Sequence, residues 1–242
     1  IRQVTAEKPD VMILSASDYD RCAEATEEAI AAGIGVVAVD TDVNAAGRAC
    51  FVGSNNYEVG LEMGRAMASY LPEGGKVAVI QHMLTTTTGI DRTRGVIDAL
   101  TKAGNIEILG SFCCDNSTDR AQSLTKELLE QTPDISGFVC TNEVCNVGAA
   151  NALVELGMGG KVFVVGCDNS QRQIAFLEQN IIQAIVTQRP FNMGYIAVQQ
   201  AVEVASGEKT ADFVEVPCVL ITRENMYTQE NQKLLFPLTG ES

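Results

Sequence analysis

The chain has 242 residues, 46% hydrophobic and 20% charged, with a formal net charge of −14 from 31 acidic against 17 basic residues. Such a composition suits a globular protein of one large domain or two lobes, and no apolar run approaches the roughly 18–20 residues that span a bilayer. The acidic balance repels a polyanion at long range, so no nucleic acid is expected as a partner through this segment.

In chain order, IRQVTAEK reads as a helix ahead of Pro9, with no strand before it. One strand–helix–strand unit is therefore expected upstream of Ile1. A strand follows at 11–15 (VMILS), then a helix capped by Asp18, beginning near Asp20 and closed by Gly33. A second strand at 36–40 ends on Asp40, and a weak one lies near Cys50–Val52. Asn55 and Asn56 precede a helix that runs to about Leu71, before Pro72. The strand 77–81 leads into the polar loop TTTT at 85–88 and a helix starting near Ile90. Another strand covers 106–112, and Ser117 or Thr118 opens a helix ending near Gln131. Strands at 137–141, 162–167 and 183–187 follow, and Pro190 stands where a first-turn proline is tolerated, ahead of a helix over 191–205. The late segment 213–222 (FVEVPCVLIT) returns to extend a sheet, and the tail 223–242 reads as a peripheral strap.

Continuous Val/Ile runs without alternation belong to strands covered on both faces, as in parallel sheets. The fold class is α/β, doubly wound. Residues 77–187 supply a complete lobe of five strands, whereas 1–54 supply an incomplete one.

Several chemistries lack their parts. The chain has eight cysteines, no CxxC pair and a single histidine, His82. No metal site is expected. The cysteines read as small core hydrophobes rather than a disulfide framework, since the chain is large enough to stand on its core. Cys113 and Cys114 are adjacent, and on a strand their side chains point to opposite faces. No glycine-rich phosphate loop is present, so no nucleotide or other cofactor is expected. Nothing assembles a nucleophile, base and orienting group, so the chain is not expected to be an enzyme.

Ligands of a parallel doubly wound sheet gather at the carboxyl ends of its strands. GVVAVDTDVN ends a strand on Asp40, and VFVVGCDNSQ ends another on Asp168. Ser15, His82, Asn142 and Gln188 also follow strands, and Arg94 lies early in the helix after TTTTG. A carboxylate accepts two hydroxyls at once and a guanidinium donates in a fork, so this set suits a polyhydroxylated neutral ligand. Of the two arginines of DRTRG, Arg92 is expected to be the solvated one. His82 is a weaker candidate, since a lone histidine is more often packed or on the surface.

The stretches AAGIGVVAVDTD, VGSNNYEVGLEMG, DRTRGVIDAL, GFVCTNEVCNVGAANAL, KVFVVGCDNS and IVTQRPFNMGYIAV resemble, in order and over 1–222, the type 1 periplasmic sugar-binding proteins of the ribose and galactose type. The effector domains of LacI-type repressors share that resemblance. It implies two Rossmann-like lobes joined by a hinge, residues 1–54 plus 189–217 and 55–188 plus 218–242, with the first lobe truncated. Crossings fall near 54–56, 188–190 and 217–219, and hinge closure grips the ligand in a cleft. It assigns ligand contacts to Asp40, Arg94, Asn142, Asp168 and Gln188, and a weaker or altered one to Ser15. The implied function is an extracytoplasmic solute-binding protein, periplasmic or a cell-surface lipoprotein. It would pass a sugar-like ligand to the membrane permease of an ABC transporter, or serve a receptor or kinase. The alternatives are the effector-binding domain of a LacI-type transcriptional regulator and the sensor domain of a membrane kinase or chemoreceptor.

Overall fold

The computed structural model describes residues 1–236. Its elements in chain order are α1 (Arg2–Glu7), β1 (Val11–Leu14), α2 (Ala23–Ala31), β2 (Gly35–Val39), β3 (Cys50–Gly53), α3 (Asn56–Tyr70), β4 (Gly75–Gln81) and α4 (Thr87–Ala103). There follow β5 (Ile106–Cys113), α5 (Thr118–Gln131), β6 (Ile135–Cys140), α6 (Glu143–Glu155), β7 (Phe163–Cys167), α7 (Gln171–Glu178), β8 (Ala184–Thr187), α8 (Pro190–Ala205), β9 (Phe213–Glu215), β10 (Val219–Thr222) and α9 (Gln229–Leu235). The chain divides into two compact units. One comprises Ile1–Asn55, Thr85–Thr88 and Arg189–Pro217; the other comprises Asn56–Leu84, Gly89–Gln188 and the chain from Cys218 onward.

The first unit is built on a parallel sheet of order β1-β2-β3-β9. Val37, Cys50 and Val52 on its inner face meet Met193 and Ala197 of α8. On the other side Ala38 and Phe51 pack with Ala16, Val43 and Ala45. Opposite-facing neighbours such as Val37 and Ala38 are both fully buried, which is why these strands read as unbroken apolar runs.

The second unit holds a six-stranded sheet of order β10-β8-β7-β6-β4-β5, parallel except for β10 against β8. Alternate strand residues feed two cores. Ala78, Ile80, Phe138, Val164 and Ile185 pack beneath α5, α6 and α7. Val77, Val79, Val139, Val165 and Val186 pack beneath α3 and α4. From β4 the chain steps outward to β5, and the later strands build in the other direction from β6. The topological switch point therefore lies between β4 and β6.

Helices α3 and α4 approach at glycines. A Cβ on Gly60 would stand 2.2 Å from the Arg92 carbonyl oxygen, and one on Gly95 would stand 2.2 Å from that of Tyr57. Only a residue without a side chain permits backbones this close.

Two local expectations change, at Asp18 and in the TTTT stretch. The segment 213–222, where a crossing near 217–219 is expected, breaks around Pro217 into β9, which joins the sheet of the first unit, and β10, which joins that of the second. Pro217 has no N–H to offer a ladder, which suits a break there. Asp18 does not cap α2: its carboxylate accepts from the Arg21 N–H at 2.8 Å in a preceding turn, and α2 starts five residues later. The TTTT stretch is partly helical, since α4 begins at Thr87. The predicted strap 223–242 contains α9, and its residues 237–242 lie outside the described residues.

Candidate functional site

The switch point of the second unit is where a strand-end site is expected. His82 follows β4 and Thr141 follows β6. Thr141 Oγ1 accepts the His82 N–H at 3.0 Å and lies 2.7 Å from His82 Nδ1. The imidazole is pushed down to about 4 by burial and next by the nearby Arg92 cation, against the pull of Asp168. His82 is therefore a neutral ring at pH 7.

Arg92 reaches the same point from α4. Its Nη1 donates to the Thr141 carbonyl oxygen at 2.9 Å, and its Nε donates to Asn56 Oδ1 at 2.9 Å. The side chain is only 2% exposed, and it faces the Asp168 carboxylate, with Nη1 3.9 Å from Oδ1. A buried guanidinium is tolerated when hydrogen bonds and a counter-charge replace water, and here two hydrogen bonds and one carboxylate do so. This reverses the expectation that Arg92 is the solvated arginine of the pair. Arg94 is 61% exposed. It pairs with Asp91 at 3.2 Å and lies over the Tyr57 ring, 4.8 Å from its centroid. The structure does not bring Arg94 into the strand-end cluster.

Asp168 follows β7 with φ 71°, a left-handed conformation that aspartate tolerates better than most residues. Its N–H donates to the Val186 carbonyl oxygen of β8 at 2.9 Å. One carboxylate oxygen accepts from Gln188 Nε2 at 2.6 Å, and the other accepts from the Glu143 N–H in the first turn of α6 at 3.2 Å. An amide fork, a helix N-terminus and a buried cation thus surround one carboxylate. Asn142 caps α6, its Oδ1 accepting from the Cys145 N–H at 3.0 Å while its Nδ2 donates to Asn116 at 2.9 Å. Arg92, Asp168 and Gln188 are brought together, with Asn142 one residue from the Glu143 contact.

Asp40 in the first unit repeats the backbone geometry of Asp168. It follows β2 with φ 64°, and its N–H donates to the Val52 carbonyl oxygen of the neighbouring strand at 2.9 Å. Ser15, after β1, lies with its Oγ 2.9 Å from Thr41 Oγ1. The turn after Asp40 is held by Arg48, whose Nε meets Asp42 at 2.7 Å and whose Nη1 meets Asp212 at 3.0 Å. Burial works against the Arg48 charge, but bonding to the two aspartates outweighs it and raises the guanidinium above its ordinary value.

Sequence reading missed Arg92, Thr141 and Asn56. For Arg92 a signal existed. Arg92, Val96 and Leu100 recur every four residues and are all buried, whereas Arg94 and Asp98 share the exposed stripe. Among the described residues no cluster of three or more His, Cys, Asp or Glu is arranged to hold a metal, and no described helix is long and apolar enough to cross a membrane.

Residues 1–209 match the family model described as a periplasmic binding protein domain. The chain is 28% identical over 180 residues to the D-allose-binding periplasmic protein of Escherichia coli K12, covering 72% of this chain and 58% of that protein. It is 25% identical over 232 residues to the D-ribose/D-allose-binding protein of Pseudomonas aeruginosa, covering 92% of this chain and 72% of that one. In three dimensions it is similar to a sugar transporter from Clostridium phytofermentans, with a TM-score of 0.83, 31% identity, and coverage of 91% of this chain and 79% of that one.

Proposed function

From the premise that this chain belongs to the periplasmic binding protein domain family, we propose that it is an extracytoplasmic solute-binding protein. Its ligand is a monosaccharide of the pentose or hexose class, and its partner is the membrane permease of an ABC transporter. The relatives named for D-allose and D-ribose binding support the ligand class. The observation that carries the reading is the Arg92, Asp168 and Gln188 cluster at the strand ends of the second unit.

The chemistry follows from the donor and acceptor inventory. Asp168 accepts from neighbouring sugar hydroxyls, and its fixed partners hold the carboxylate in orientation. Arg92 donates to a hydroxyl or ring oxygen from a guanidinium whose plane is set by Asn56 and Thr141. At 3.9 Å, the Arg92–Asp168 separation exceeds a direct hydrogen bond. A hydroxyl bound at both is therefore compatible with their spacing. Gln188 and Asn142 add amide groups that both donate and accept. In the first unit the proposed contacts are Asp40 and Ser15. Binding here is recognition without covalent change, so specificity rests on which hydroxyls find partners and which polar groups stay unpaired.

The test is a thermal-shift panel of pentoses, hexoses, disaccharides and polyols, followed by calorimetry on any responder. A one-site ligand at 100 times its Kd adds roughly 2.7 kcal/mol of stability, a shift of several degrees. A monosaccharide that raises the melting temperature, with the response lost in Asp168→Ala, is the expected outcome. A folded protein that responds to no monosaccharide in the panel overturns the reading.

A further inference from the structure

Two thiols that the strand-end chemistry does not use face each other inside the second unit. Cys114 Sγ and Cys145 Sγ are 3.4 Å apart, and both residues are fully buried. A third buried thiol, Cys140, ends β6 in the same core. We propose that Cys114 and Cys145 form a redox modification site, a thiol pair that closes to a disulfide and ties the turn after β5 to the first turn of α6.

The geometry supports that pair. Sulfur atoms at 3.4 Å are already in contact, and closing to a bond of about 2.05 Å requires a displacement within the reach of side-chain rotation and a small backbone shift. One thiol lies in a turn and the other in the first turn of a helix, not in mid-element. Cys114 begins the turn between β5 and α5. That turn carries left-handed Asp115 and Asn116, with φ 49° and 54°, and is pinned by Cys114 N–H to Gln81 O at 2.9 Å and Asn116 N–H to His82 O at 2.8 Å. Cys145 is the third residue of α6.

The chemistry favours Cys114 as the attacking sulfur. Its thiol is drawn down to about 7, first by the hydrogen bond from Cys145 and then, against burial, by backbone N–H groups of Ser117 and Asn116. Burial first, and then Cys114 as a bonded neighbour, hold Cys145 well above the usual thiol range. The thiolate fraction therefore resides on Cys114. The oxidant is a small-molecule disulfide, which reaches the pair when the 114–117 turn opens. Cys114 thiolate attacks one of its sulfurs and expels one thiol, leaving a mixed disulfide. Cys145 then loses its proton and attacks the Cys114 sulfur, expelling the second thiol. One S–S bond forms in the protein, one breaks in the oxidant, and two electrons and two protons pass to the expelled thiols. The extracytoplasmic setting proposed above is one in which such a bond persists. The mass readout below does not depend on sugar binding.

The test incubates the reduced full chain with oxidised glutathione, both folded and during refolding from denaturant. Remaining thiols are then alkylated in denaturant, and tryptic peptides are mapped without reduction. The expected result is a species in which fragment 103–120 is joined to fragment 127–161 and two thiols escape alkylation. The link persists in Cys113→Ser and Cys140→Ser and disappears in Cys114→Ser and Cys145→Ser. Alkylation of both Cys114 and Cys145 under both regimes overturns the proposal. So does a cross-link that survives Cys114→Ser or Cys145→Ser.

Discussion

Arg92 Nη1 lies 3.9 Å from Asp168 Oδ1, although the two side chains come from a helix and a strand end separated by more than seventy residues. Arg94, two positions further along the same helix, instead lies over Tyr57 at the surface. Successive residues of a helix advance by about 100°, so two arginines two apart face nearly opposite ways. Arg92→Lys keeps the charge but loses the planar fork to Asn56 and Thr141. It should remove the sugar-induced thermal shift and destabilise the fold by about 3 kcal/mol in urea unfolding. Arg94→Ala should change stability by no more than about 0.5 kcal/mol and leave the sugar response intact. The reverse pattern would return the ligand contact to Arg94.

Asp40 and Asp168 both hold left-handed backbone at a strand end, which glycine adopts without strain. Asp40→Gly therefore separates ligand chemistry from folding, and its melting temperature without sugar should stay within a few degrees of the parent. Asp168→Gly keeps the backbone but strips the buried Arg92 of the Asp168 counter-charge, so it should melt lower. Calorimetric affinity for the cognate sugar should fall at least about 100-fold in each, as expected when hydrogen bonds to a charged group are lost. An unchanged affinity in either variant would remove that aspartate from the site.

His82 is the single histidine of the chain, so one imidazole signal in proton NMR reports it alone. Its pKa is depressed from 6.5 to about 4 in the folded state, by burial first and by Arg92 second. The unfolded chain thus binds the proton more tightly. The stabilisation is fully present above pH 6.5, declines as pH falls and is gone below about pH 4. Across that window it amounts to roughly 3 kcal/mol. His82→Gln should reduce the difference in unfolding free energy between pH 7 and pH 4.5 by about 2 kcal/mol. An imidazole titrating near 6.5 in the folded protein would contradict the buried environment.

Glycines divide by what surrounds them. Gly95 lies where an added Cβ would meet the Tyr57 carbonyl oxygen at 2.2 Å, whereas Gly194 in α8 has nothing within 4 Å. Gly95→Ala should force α3 and α4 apart and cost about 2–3 kcal/mol. Gly194→Ala should stabilise by up to about 1 kcal/mol through helix propensity. Urea midpoints at constant m-value read both.

Local residue pattern was enough to place most elements of this protein and the strand ends that carry its polar groups. Apolar runs such as 36–38 and 164–167 are buried on both faces, so their composition reports their environment directly. Asp40, Asp168, Asn142 and Gln188 terminate or follow such runs at positions that local pattern alone exposes. The rest came from packing, because it depends on which groups meet across long sequence separations. The break of 213–222 around Pro217 follows from two different sheets offering edges to one apolar segment. The choice of Arg92 over Arg94 follows from the face of α4 that glycine contacts press against α3. The contact between Cys114 and Cys145 exists only because a turn after β5 and the start of α6 share one core. The sheet partners of 213–222 and the thiol contact leave no mark in local periodicity, since they are set by packing between elements, whereas the buried face of α4 does recur in the sequence at Arg92, Val96 and Leu100.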